Sequence, residues 1–146
     1  MKVVLLVVKK CDNNDFYKNS KPYETVILRC IDFLKTNGFK KDDPLILEVL
    51  LYIIDMLNFL LKFHMLHEKL NQDEVVAFLI KMLAVHDNVF IVKSLTSILL
   101  ESAKITAFYR DLLNDESLNI FLEKMITYQA EPDSLSNMFD CLRIII

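Results

Sequence analysis

Residues 44–66 read PLILEVLLYIIDMLNFLLKFHML, and how this stretch is read decides the fold. It is nearly all apolar, yet Glu48, Asp55 and Lys62 recur at intervals of seven residues. At about 100° per residue those three fall on one narrow stripe, with Tyr52 and Phe59 beside them. A helix that is apolar around most of its circumference must be wrapped by other helices. Pro44 suits a first helical turn and Asp43 before it is a capping residue. The stretch has the length of a membrane span, but three internal charges make insertion costly. We therefore expect one central helix over 44–66 in a soluble all-α domain with no membrane association.

Composition points the same way. The chain has 146 residues, 53% of them hydrophobic and 25% charged, with one glycine and three prolines. So little tight-turn chemistry disfavours a hairpin-rich β fold and a phosphate-cradling glycine loop. A net charge of −3 argues against a nucleic-acid surface, which carries a basic excess. Cys11, Cys30 and Cys141 are odd in number and form no CxxC, which fits a reduced, intracellular setting. MKVVLLVVKK at 1–10 lacks a small-residue cleavage site and does not read as a signal peptide.

Working outward from 44–66, residues 1–21 form an apolar run followed by a polar loop, and 22–146 form the helical domain. Pro22 opens a helix, with Val26, Ile27, Cys30, Ile31 and Leu34 at helical spacing and Gly38 placed for a left-handed C-terminal cap. On the other side lie HEKLNQ, a helix over 73–86 capped by Asp73, and a turn at Asp87-Asn88. A helix over 89–104 follows, then a shorter piece over 105–114. Asp115 and Glu116 start the next helix, AEPD (130–133) breaks it, and a last helix runs from Ser134. Phe78-Leu79 and Lys81-Met82-Leu83 match Phe121-Leu122 and Lys124-Met125-Ile126 at an offset of 43. Ile91, Val92, Leu95, Ile98 and Leu99 match Met138, Phe139, Leu142, Ile145 and Ile146 at 47. With 22–37/44–66 as a further pair, this predicts stacked helical hairpins, since one hairpin cannot bury both of its faces alone.

At this point the chain resembles the armadillo/HEAT superfamily. ITAFYRDLLN, ESLNIFLEKMI and SLSNMFDCLRIII look like the three helices of an armadillo unit, and 67–100 looks like the unit before it. The resemblance implies an all-α right-handed superhelix of about six to eight helices, with the second helix of each hairpin lining a concave face. The usual glycine between the first two helices is missing, as are regularly spaced concave-face asparagines. The resemblance therefore implies an architecture and no particular ligand.

The stripe Glu48/Tyr52/Asp55/Phe59/Lys62 has counterparts on the later second helices. Lys93, Ser97 and Glu101 share one face; Ser136, Asp140 and Arg143 share another. Side by side, these would form a partner groove of mixed charge with two aromatic anchors; scattered, they are ordinary solvated faces. His64 and His67 put two imidazoles on one face, with Glu68 as the only addition, too few for a structural zinc site. We expect no metal, no cofactor and no catalytic centre, since G-x-S-x-G, phosphate-loop and Cys/His patterns are all missing. The chain ends on Ile144-Ile145-Ile146, residues that either pack inward or offer an apolar surface for self-association.

The sequence thus predicts a non-enzymatic protein–protein adaptor, or a small subunit of a larger assembly, in the cytoplasm or nucleus. An alternative is a compact viral Bcl-2-like bundle with 44–66 as its buried centre, although that family's Asn-Trp-Gly-Arg signature is missing. A third is a divalent-metal enzyme using His64, His67 and Glu68.

Overall fold

The helix that opens at Pro44 stops at Leu60. The computed structural model describes residues 21–146. The apolar run and polar loop expected over 1–20 lie outside the described residues. The chain forms α1 (Lys21–Asn37), α2 (Pro44–Leu60), a 3₁₀ turn (His64–Leu66), α3 (His67–Gln72), α4 (Val75–Val85) and α5 (Val89–Ala103). A second 3₁₀ turn (Thr106–Phe108), α6 (Tyr109–Leu112), α7 (Asp115–Thr127) and α8 (Pro132–Ile145) complete it. Among the described residues the fold is all-α, with no strand.

The expectation of one continuous helix over 44–66 is corrected. Pro44–Leu60 and His64–Gln72 meet at 114°. Lys62 N–H donates to Phe59 O and Phe63 N–H to Leu60 O, tightening the last turn, and Phe63 then turns extended (φ −95°, ψ 101°). The Leu61 carbonyl that the break strands is satisfied by His67, whose Nε2 lies 2.7 Å away and must carry the proton. Phe63 and Leu66 are buried on the far side of the bend. No proline or glycine marks the site, so burial of those two side chains and the His67 bond hold it. Among the described residues no single helix is long and apolar enough to cross a membrane.

Short polar side chains cap several helix starts, Asp43 among them as expected. Asp43 accepts from Leu45 and Ile46 N–H at 3.0 and 3.3 Å, and Asn88 from Phe90 and Ile91 at 3.0 and 3.2 Å. Asn114 caps α7 through Ser117 N–H at 2.9 Å. Two expectations fail and one boundary shifts. Asp73 does not cap α4; it pairs with Lys69 at 3.1 Å, and α4 is entered through Glu74 in the left-handed region (φ 53°). AEPD (130–133) does separate α7, which ends at Thr127, from the last helix, but α8 starts two residues earlier than expected, with Pro132 and Asp133 in its first turn and Glu131 as its cap. Gly38 is not a left-handed cap, because no glycine has a positive φ. It is glycine because a Cβ there would sit 2.8 Å from Phe78 Cε1 and 2.5 Å from Leu34 O.

Three hairpins, α1/α2, α4/α5 and α7/α8, lie in order. α5 packs against α2, α4 and α8, while α4 also meets α7. The most enclosed helix is therefore α5, not the 44–66 stretch: Ile91, Val92, Leu95 and Leu99 have no exposed surface. Burial recurs along the chain. Residues 27, 31, 34 and 38 are buried, as are 75, 79, 82 and 86, and again 117, 121, 124 and 128. In the second helices 50, 53 and 57 correspond to 92, 95 and 99, and to 138, 141 and 145. The register differs by one from the sequence match, a shift of 42 in place of 43 and of 46 in place of 47. The sequence match aligned side-chain type; packing aligned the positions that face the core.

Cys30 and Cys141 are buried core residues, as expected, with Cys30 Sγ against Met56 Sδ at 3.7 Å. Burial pushes their thiols up to about 11 and about 12 respectively. Both are expected to resist a thiol reagent at neutral pH until the chain unfolds. Labelling of either in the folded protein, read by mass spectrometry after digestion, would contradict that. At the chain end Ile145 packs inward and Ile144 is half-buried, whereas Ile146 is exposed.

Candidate interaction face between α2 and α5

Because α5 lies along α2, residues of two separate stripes meet at their seam. Ile54, Asp55 and Asn58 of α2 face Lys93, Ser94 and Ser97 of α5 around a depression of about 190 Å³. Further along, Asp55, Asn58, Phe59 and Lys62 meet Glu101 around a second, of about 300 Å³. Six of the residues expected in a partner groove, namely Asp55, Phe59, Lys62, Lys93, Ser97 and Glu101, are thus brought to one seam. Both volumes lie at or below the lower end of the range for small-ligand pockets, roughly 300–1,000 Å³.

Charge along the seam alternates. Lys62, past the end of α2, places its ammonium 5.4 Å from the centroid of the Phe59 ring, which packs edge-on against Phe63 at 5.5 Å. Lys93 pairs with Asp133 of α8 at 2.5 Å, and the hydrogen bond and charge of Asp133 raise the lysine pKa. Glu101 pairs with Lys104 at 2.7 Å. Tyr52 is half-buried against the core and Glu48 exposed, both nearer the start of α2 than either depression. Asp140 and Arg143 pair with each other along α8 at 3.2 Å and line neither depression. Sequence reasoning missed Asn58, which lines both depressions and whose Oδ1 is shielded from solvent with no hydrogen-bond partner among the described residues. An isolated asparagine in an apolar run gives no periodic signal.

His64 and His67 lie with ring centroids 5.2 Å apart beside Glu68 and Lys104, around an open cavity of about 630 Å³. His67 Nε2 is committed to the Leu61 carbonyl, and its ring edge meets Phe108 at 6.0 Å. Among the described residues no three His, Cys, Asp or Glu side chains are grouped to hold a metal ion.

A second polar constellation, also missed, joins the three hairpin turns. His86 Nε2 donates to the Gly38 carbonyl at 2.5 Å. Lys124 Nζ, almost entirely buried, donates to the His86 carbonyl at 2.7 Å and to Asp87 Oδ1 at 3.1 Å. Tyr128 Oη donates to the Asp87 carbonyl at 2.6 Å, with Lys124 Nζ 5.7 Å from its ring centroid. Lys124 lowers the Asp87 pKa by hydrogen bond and by charge; burial, then Asp87, raises that of Tyr128. The signal was present: Ser117, Phe121, Lys124 and Tyr128 lie at one helical spacing, with a lysine where an apolar residue belongs.

Compared with known proteins, the chain matches no family model, no curated protein and no solved structure.

Proposed function

We propose that this chain is a non-enzymatic adaptor, or a small subunit of an intracellular assembly, that binds a protein segment along the α2/α5 seam. The observation that carries it is the convergence of Asp55, Phe59, Lys62, Lys93, Ser97 and Glu101 from two separate helices onto one face. Alternating charge, an aromatic ring between them and a shielded amide acceptor at Asn58 suit a segment that offers both charges, an apolar anchor and a backbone donor. An armadillo/HEAT-like array is supported by the order of the hairpins and the recurrence of buried positions in each.

Asp55→Lys combined with Glu101→Lys makes the seam uniformly basic without touching the core. Segments selected from a display library on the native chain should then bind at least ten-fold more weakly by calorimetric titration, with the melting temperature little changed. Equal affinity would move the binding face elsewhere.

A further inference from the structure

α4 and α5 cover one side of the first hairpin. α4 lies on the flank of α1 that carries Ile31, Leu34 and Lys35, and α5 on the flank of α2 that carries Ile54, Asp55 and Asn58. On the other side α1 and α2 meet through Cys30 and Met56, whose sulfurs lie 3.7 Å apart. Val26 and Phe33 stand four residues before and three after Cys30, and Val49 stands seven before Met56, so all three flank that contact. They are half-buried, and Leu45, one turn before Val49, is 69% exposed. This flank is apolar, with exposed Glu48 at its rim.

We propose that the apolar run at 3–8, VVLLVV, docks on this flank of its own chain as the first layer of the stack. Stacking order points to it. The α4/α5 hairpin sits between its chain neighbours α1/α2 and α7/α8, so the polypeptide due against the other side of α1/α2 is the one that precedes it. Reach permits it: residues 9–20 join the run to α1, and those twelve span up to about 40 Å, more than the roughly 25 Å length of either helix. A tether of that length sets an effective concentration on the order of millimolar, which favours the chain's own segment over that of another copy. Six consecutive apolar residues gain by leaving water, and Lys9 and Lys10 after them bring positive charge to the rim at Glu48. The flank lies apart from the α2/α5 seam, so the inference does not rest on partner binding there.

Paramagnetic broadening in the full chain tests it. Cys30 and Cys141 are buried, so a nitroxide directed to Cys11 marks the segment three residues past Val8. The amide resonances of Leu45 and Val49 should lose most of their intensity, while those of Leu122 and Phe139 on the last hairpin stay sharp. Leu45 lies at the turn end of the hairpin, about 25 Å from Lys21, so tethering alone does not hold the label there. Leu5→Asp with Leu6→Asp should restore the lost intensity at both positions. Leu45→Asp, at an exposed position, should restore it at Val49 and keeps the test valid if the double variant is poorly folded. Four results overturn the proposal: an unbroadened α2, broadening on Ser97 and Glu101 of the seam instead, broadening passed from a labelled chain to an unlabelled one in a mixture, or broadening that survives all three substitutions.

Discussion

Lys124→Ala is expected to lower the free energy of unfolding by about 3 kcal/mol, read from the urea midpoint at constant slope. Two losses contribute. The buried His86 carbonyl loses the donor at 2.7 Å, at a cost of about 1–3 kcal/mol for an orphaned group. The aliphatic stem, packed at the end of α7, leaves a cavity worth a further one or two kcal/mol or so. Lys124→Met separates them, because it keeps the stem and removes only the ammonium; it should cost about half as much. If the methionine variant is as stable as the native chain, the ladder across the hairpin turns contributes nothing and its description as structural is wrong. Asp87 enters less strongly, being largely exposed. Its carboxyl is held below the usual range by Lys124, so whatever it adds is present above the unfolded-state pKa and is lost as pH falls through the lower folded value. Asp87→Asn should therefore flatten a shallow acid-side slope in stability and change little at neutral pH.

Gly38→Ala is expected to cost about 2–3 kcal/mol, well above what one methyl group costs on a surface. The added carbon would meet Phe78 Cε1 at 2.8 Å and Met82 Sδ at 3.0 Å, and the backbone oxygen of Leu34 at 2.5 Å, which cannot rotate away. Relief requires the turn to move, and that stretches the bond from His86 Nε2 to the Gly38 carbonyl. Lys40→Ala, two residues on and exposed, provides the control and should leave the midpoint within about 0.5 kcal/mol of the native value. Equal stabilities for the two variants would mean that the α1/α2 turn does not press on α4.

These two sites show where sequence reading reaches and where it stops. Helix positions along 22–146 were legible because amphipathic spacing, Asp43, Asn88 and the prolines at 22 and 44 are local signals. The pairing of helices into hairpins was legible from short turns. Gly38 was recognised as special for the wrong reason: sequence cannot distinguish a glycine needed for its dihedral angles from one needed for lack of a side chain. Lys124 stands out in its own helix only as a lysine at an apolar position; what it bonds to could not be read, since the carbonyl that receives it belongs to another hairpin.

The seam was half legible. Asp55, Phe59, Lys93, Ser97 and Glu101 were singled out by periodicity, which fixes the face of a helix on which a residue lies. That α2 and α5 bring those faces together is a fact about packing between elements remote in sequence. Asn58 and the mutual pairing of Asp140 with Arg143 followed only from coordinates. The bend after Leu60 marks the boundary most sharply. Apolar residues continue at helical spacing through Phe63 and Leu66, so nothing local ends the helix there. The sequence by itself determined an all-helical chain, the Asp43 cap and the hairpin order, because those depend on interactions within a few residues. Tertiary structure decided the bend, the one-residue shift in register and the buried ladder, because each depends on a carbonyl or a cavity supplied by a distant segment or by the turn of the chain itself.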